Sequence, residues 1–323
     1  MKLSIIVPCK NSGSTVNRAL DSIRMDLPSV CNLEILLVPS TPDDSTYPCI
    51  KNKENVRWLT FGRHVGLGES RKLGLECSSG DYIGFLDSDD FYGKNCISSV
   101  AERFAQDPSL DLVVGEVFVQ NESGASCLSP SYPNLGSLDS TAAKDAFLSS
   151  RQLWWQVGAF FAKKSFLVEN GITFNPLLSA NEDLPVLASM VCLCRHGVTL
   201  DVPFVYYCPN SSGAHVERSY ANLFDSAVSL KSSIVTFQKA GLVHAADRWS
   251  IFLVKELLLQ CGRSSTRNTR KQLSKAFRRC HLLKGIHPTQ AKSLFWCFRF
   301  FGYRPTWLLY SWFYKIKHRK ETK

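Results

Sequence analysis

The first 120 residues alternate short β-branched apolar runs with amphipathic stretches, and this alternation restricts the fold more than any other feature of the chain. Apolar runs occupy residues 3–7, 33–38, 56–59, 82–86 and 110–114, with helical patterns over 15–24, 68–77 and 95–105 between them. Runs without polar alternation belong to strands covered on both faces, and strand–helix–strand repetition builds a parallel sheet. In such sheets ligands bind at the carboxyl ends of the strands, so chemistry is expected in the loops after Val7, Val38 and Leu86. Residues 120–180 are irregular and rich in turns, with a strand expected over 158–161; a helix is expected over 183–195, short strands over 198–207, and helices after about 217.

Charge is distributed unevenly. The net charge of +10 first suggests a nucleic acid or an anionic surface as partner. Yet residues 1–254 carry 21 basic and 26 acidic side chains, whereas residues 255–323 carry 17 basic and only 2 acidic ones. A mildly acidic body is therefore joined to a strongly basic tail. The 12 cysteines are scattered and never form C-x-x-C, which excludes a dense disulfide scaffold and a zinc ribbon. The N-terminal apolar run is too short for a signal peptide, and the chain reads as cytoplasmic with reduced thiols.

The strongest chemical signal is Gly80-Asp81-Tyr82-Ile83-Gly84-Phe85-Leu86-Asp87-Ser88-Asp89-Asp90. A buried strand here delivers three carboxylates into one loop, which is costly unless a cation or water compensates. Oxygen ligands of this kind suit Mg²⁺ or Mn²⁺ shared with substrate phosphates. Glu182-Asp183 precedes an apolar helix, where carboxylates would stabilise the helix start whatever else they do.

Taken in order, these residues resemble the family 2 glycosyltransferases. Ser4-Ile5-Ile6-Val7-Pro8-Cys9-Lys10-Asn11 is similar to that family's opening strand and loop, and Glu34-Ile35-Leu36-Leu37-Val38 to its second strand. His64-Val65-Gly66-Leu67-Gly68-Glu69-Ser70-Arg71 resembles its glycine-rich turn and arginine-bearing helix, followed by the Gly80 to Asp90 block and by Asn181-Glu182-Asp183-Leu184. The resemblance covers residues 3–210 and implies an α/β, GT-A (Rossmann-like) fold: a mostly parallel sheet flanked by helices, here with a C-terminal helical extension. It implies a domain over 1–215, with a nucleotide-binding half to about 118 and an acceptor-binding half over 119–215, followed by a basic, aromatic-rich region over 216–323.

The implied activity is inverting, metal-dependent transfer of a sugar from a nucleotide-sugar donor to a hydroxyl of a glycan or lipid-linked acceptor, in cell-surface polysaccharide synthesis. Asp183 matches the catalytic base and Glu182 its neighbour. Pro8, Lys10, Asn11, Ser40, Asp44, Gly66, Arg71, Asp87 and Ser88 match donor-binding positions. Asp87 and Asp89, with His215, match metal positions for Mg²⁺ or Mn²⁺. The chain departs from the family after its second strand, where Pro39-Ser40 stands in place of an aspartate pair, so the resemblance does not fix the nucleobase.

Residues 294–314 hold 11 aromatics interrupted by Arg299, Arg304 and Pro305, so no span of about 20 apolar residues crosses a bilayer there. Trp and Tyr beside Lys315, Lys317, Arg319 and Lys320 suit an anionic membrane surface on the inner face of the plasma membrane, or packing onto the body. Two other functions share some of these features. A nucleotidyltransferase would need a basic glycine-rich loop after the first strand, which is absent. A nucleic-acid-binding protein would spread its basic residues over a face without organised acids, so no specific nucleic acid is expected.

Overall fold

The computed structural model describes residues 1–29, 31–50, 53–120, 126–128, 135–150, 156–209 and 220–263. Its first half is β1 (Lys2–Cys9), α1 (Val16–Arg24), β2 (Asn32–Pro39), α2 (Tyr47–Ile50), β3 (Val56–Trp58), α3 (Leu67–Cys77) and β4 (Tyr82–Phe85). The strands pair in parallel in the order β3-β2-β1-β4, with Ile5 opposite both Ile35 and Gly84. Every residue of β1 from Leu3 to Cys9 is buried, as expected of a strand covered on both faces. Helix α1 packs Val16, Ala19, Leu20 and Ile23, the i, i+3, i+4, i+7 stripe of an amphipathic helix, into the same core.

Among the charges inside this apolar half, one lies within a strand. Glu34 on β2 stands opposite Ser4 of β1 and accepts from Ser4 Oγ at 2.6 Å, the Ser79 amide at 2.8 Å and Arg57 Nη1 at 2.5 Å. Burial alone would raise its carboxyl, but the bonds from Ser4, Ser79 and Arg57 outweigh burial and hold it down to about 2. A carboxylate depressed in the folded state stabilises above its unfolded value, and that contribution is lost as pH falls through the window from about 4.5 to 2. Urea unfolding of the native protein and Glu34→Gln is expected to differ by about 2 kcal/mol at pH 7 and to converge by pH 2. Equal stabilities at pH 7 would refute this role.

The second half comprises β5 (Phe91–Tyr92), α4 (Cys96–Gln106), β6 (Leu112–Gln120), β7 (Ser126–Leu128), α5 (Thr141–Ser149), a 3-10 turn (Val157–Ala159), β8 (Phe160–Lys163), α6 (Lys164–Glu169), α7 (Leu184–Leu193) and β9 (Gly197–Tyr207). Here the sheet becomes mixed. β8 is antiparallel to both β4 and β6, β9 lies parallel to β6, and the short β5 and β7 are antiparallel to β9 and β6. The parallel character read from the sequence therefore belongs mainly to the first half. The short strands expected over 198–207 form one strand, which keeps pairing past Pro203 because the register shifts around Glu116.

Two further helices, α8 (Tyr220–Lys239) and α9 (Val243–Arg263), pack onto this body. Asp145 of α5 accepts from the His244 and Ala245 amides at the start of α9 at 3.3 and 2.8 Å, and Trp249 Nε1 donates to the Leu148 carbonyl at 3.0 Å. The start of the helical extension is thus part of the folded body, while the aromatic segment 294–314 lies outside the described residues. Among the described residues no helix is long and apolar enough to cross a membrane.

Candidate active site

The carboxyl ends of β1, β2 and β4 meet in one place, and hydrogen bonds between their loops hold it together. Pro8 is buried in β1 opposite Val38. Lys10 follows, exposed, and Asn11 takes a left-handed conformation (φ 53°) that asparagine tolerates better than most residues. That turn aims the Asn11 amide at both oxygens of Asp44, 3.0 and 3.1 Å away. Asp44 is buried and also accepts from the Thr46 amide and hydroxyl at 3.0 and 2.5 Å. Its carboxylate braces two loops, which is a different task from reading a base edge directly. Ser40 donates its amide to the Cys9 carbonyl, accepts from the Val65 amide and lies 3.3 Å from His64 Nδ1 through its hydroxyl. Ser12 Oγ is 2.7 Å from Ser88 Oγ, tying the loop after β1 to the loop after β4.

The two glycines of the turn before α3 serve different purposes. A Cβ at Gly68 would stand 2.8 Å from the Asn175 carbonyl and 3.1 Å from Glu182 Cγ, so glycine is what lets α3 approach the loop that leads into α7. A Cβ at Gly66 would meet nothing within 4 Å, so no packing requires glycine there and the backbone at the start of α3 stays open to approach.

Arg71, one turn further along α3, is the centre of the site. Its side chain is 2% exposed, and its two terminal nitrogens donate to different carboxylates, Nη1 to Glu182 and Nη2 to Asp87. The guanidinium also lies 5.8 Å from the ring centre of Phe174. Burial would lower its pKa, but Asp87, Glu182 and Asp183 outweigh burial and raise it, so Arg71 stays charged. A fork with two arms suits this position as no point charge could. It joins the loop after β4 to the acidic pair before α7 although residues 71, 87 and 182 lie far apart in sequence.

Burial raises the Glu182 carboxyl against the opposing pull of Arg71. Asp183 is pushed up to about 7 by burial first and by the charge of Glu182 next. Asp183 begins α7 yet makes no capping hydrogen bond with its side chain, so the helix start does not consume it. A partly accessible carboxylate, poised near neutrality and not held by a helix cap, can accept a proton.

The third acid of the loop after β4 has another role. Asp90 is buried, accepts from Gln156 Nε2 at 2.5 Å and from the Cys208 amide at 2.8 Å, and so fastens this loop to the end of β9. Burial, then the charges of Asp87 and Asp89, push its carboxyl well above the ordinary range. Sequence reasoning counted Asp90 among the loop acids without separating it; Gln156, Cys208 and Phe174 it missed, since nothing local marks them as neighbours of the site. Arg18 of α1 donates to the Asp89 carbonyl at 2.5 Å and lies over Phe91, 5.0 Å from its ring centre, supporting the same loop from the other side.

Asp87 and Asp89 are the two loop acids that stay partly accessible, and their oxygens are hard ligands suited to Mg²⁺ or Mn²⁺. Among the described residues no group of three His, Cys, Asp or Glu side chains could hold a metal alone. The chemistry of Asp87 and Asp89 is that of an ion that takes one or two protein carboxylates and completes its shell with other oxygens. His215 lies outside the described residues.

A parallel first half, an acidic loop after its fourth strand and a mixed second half carrying an acidic pair match the GT-A fold, and comparison with solved structures agrees. The crystal structure of residues 1–349 of TarS from Staphylococcus aureus, in complex with UDP-GlcNAc, superposes with a TM-score of 0.73 at 18% identity, covering 96% of this chain and 92% of that one. Residues 4–151, a little under half of the chain, match the model for "Glycosyl transferase family 2". It is 25% identical over 251 residues to TarS, the poly(ribitol-phosphate) β-N-acetylglucosaminyltransferase of Staphylococcus aureus, covering 76% of this chain and 42% of that protein. It is 27% identical over 230 residues to the poly(ribitol-phosphate) β-glucosyltransferase of Bacillus spizizenii, covering 68% of this chain and 34% of that protein. The chain thus spans less than half the length of these curated relatives.

Proposed function

We propose that the protein is an inverting, metal-dependent glycosyltransferase that moves a sugar from a nucleotide-sugar donor to a hydroxyl of a cell-surface polymer or its lipid-linked precursor. The observation that carries this reading is the Arg71 fork, which holds the acidic loop at the end of β4 against the acidic pair of α7. One side of the site is then equipped for the leaving diphosphate and the other for the attacking hydroxyl. The names of the two relatives point to a polyol-phosphate polymer as acceptor class, and a basic tail suits a polyanion or an anionic membrane surface equally.

The acceptor hydroxyl, whose pKa lies far above neutral, needs a base within hydrogen-bond reach, and Asp183 supplies it. Attack from the face opposite the diphosphate inverts the anomeric configuration. Glu182, held by Arg71, fixes the direction in which Asp183 points. Asp87 and Asp89 would hold Mg²⁺ or Mn²⁺, which when bound neutralises charge developing on the departing diphosphate. Ser40 with His64, Asn11 and Lys10 border the loops where the nucleotide would lie. Pro8 and Asp44 set the shape of these loops from beneath, Ser88 links them, and Gly66 leaves room for the diphosphate.

Transfer assays over a panel of sugar nucleotides, with acceptors in solution or on anionic vesicles, test the reading. Turnover is expected with Mg²⁺ or Mn²⁺ and lost with chelator, and Asp89→Ala should lose at least about 100-fold through weakened donor binding. Chelator-resistant transfer, or full activity of Asp89→Ala, would remove the metal from the proposal.

A further inference from the structure

The chain segment that carries the acidic pair is fastened from a direction the catalytic residues do not themselves reveal. Three consecutive residues before Glu182 each bond to the same face of α8. Ser179 donates its amide and its hydroxyl to Asp225 Oδ2 at 2.9 and 2.6 Å. The Ala180 carbonyl accepts from Ser229 Oγ at 3.3 Å, and Asn181 Nδ2 donates to Ser226 Oγ at 2.5 Å. Residues 225, 226 and 229 form one patch of a helix surface, and Ser226 and Ser229 are fully buried.

The Asn181 backbone is left-handed, at φ 51°. A residue other than glycine in that region costs about 1 kcal/mol and persists where its surroundings over-determine it. Its carbonyl accepts from the Leu184 amide, so the same turn starts α7. This single turn sends Glu182 inward to Arg71 and leaves Asp183 at the mouth of the helix. Without the tether to α8, the turn could relax to an ordinary conformation and redirect both carboxylates.

We propose that α8 is a clamp on the catalytic loop, with Asn181 and Ser226 as positioning residues that set the direction of Asp183. The proposal rests on the reading of Asp183 as the base. Helix α8, like Asn181, Glu182 and Asp183, lies outside residues 4–151, which match the family model. Displacing a catalytic group by about 1 Å can cost on the order of 100-fold in rate, so a tether that stops partial relaxation is expected to contribute about tenfold.

The test uses the full chain with Ser226→Ala, Asn181→Gly and the double variant. Asn181→Gly accepts the left-handed turn and removes the side-chain tether but also loosens the backbone. Ser226→Ala, which removes the same bond and leaves the turn's backbone unchanged, is its control. Each single variant is expected to lower kcat about tenfold with donor KM within about twofold, and the double variant to be no worse than either single, because both remove one bond. Native kcat in either folded single variant, additive losses in the double, or a donor KM that rises with the loss would overturn the clamp. Asp183→Asn measured alongside separates the two claims. If it retains turnover, the base assignment has failed; if it is inactive while Ser226→Ala and Asn181→Gly turn over normally, only the clamp has failed.

Discussion

Asp183→Asn is expected to abolish sugar transfer while making the protein more stable above neutral pH. Loss of a general base costs about 10²- to 10⁴-fold in rate, and amide nitrogen offers no substitute acceptor. Donor binding should persist, because the proposal places Asp183 on the acceptor side of the Arg71 fork, and nucleotide titration by calorimetry would measure it. The stability gain follows from linkage. The Asp183 carboxyl sits at about 7 in the folded protein against 3.8 as the ordinary value, so between these limits the folded state binds more protons than the unfolded one. Stability therefore falls as pH rises through that window, and the asparagine variant escapes the loss. Because the side chain is partly accessible, solvent reduces the effect, and about 1–2 kcal/mol at pH 8 is expected, disappearing near pH 4. The same titration shapes the native pH profile, with kcat/KM rising to a plateau above about pH 7 as the base ionises. A variant with native stability at pH 8 and residual turnover above one tenth would refute both claims.

Arg71→Ala should be the most destabilising single change in the site. It leaves Glu182 buried beside Asp183 with its opposing charge removed, and frees Asp87 from the same fork. Breaking a buried pair from one side costs about 3–5 kcal/mol, because the remaining charge stays desolvated. Arg71→Lys should recover only part of this, since an ammonium cannot present two directed arms to carboxylates on different loops. Adding Glu182→Gln to Arg71→Ala should restore about 2 kcal/mol without restoring transfer, because the buried charge is gone while the direction of Asp183 is still lost. Urea unfolding of the native protein, Arg71→Ala, Glu182→Gln and the double variant supplies the cycle. Additive effects across it would mean that Arg71 and Glu182 act independently, contrary to the geometry.

The first half of the sheet was legible in the sequence because its strands are continuous apolar runs joined by helices, the pattern of parallel pairing. The pairing of β8 between β4 and β6, and of β9 beside β6, was not legible, because those partners are chosen by contacts between distant segments such as Phe161 against Phe204. The site divides the same way. Asp87, Asp89, Glu182 and Asp183 stood out as acids in apolar surroundings, whereas the fork of Arg71 needed the fold to bring residues 87 and 182 together. Glu34 could have been found, as a single carboxylate inside Leu33-Glu34-Ile35-Leu36-Leu37-Val38. The left-handed turn at Asn181 could not, because only its bonds to α8 give it meaning.

The placement of β6 has a consequence for how the chain is made. One edge of this strand pairs with β8 and the other with β9, both of which are synthesised later. β7 and β8 can pair with it once the chain has reached Lys163, but the edge that takes β9 stays open until ribosomes have added almost ninety residues beyond Gln120, to Tyr207. Long-range pairings of this kind form slowly and leave sheet edges open to other chains. A truncated or stalled product ending before β9 would therefore carry a sticky edge, and its fate would depend on chaperones.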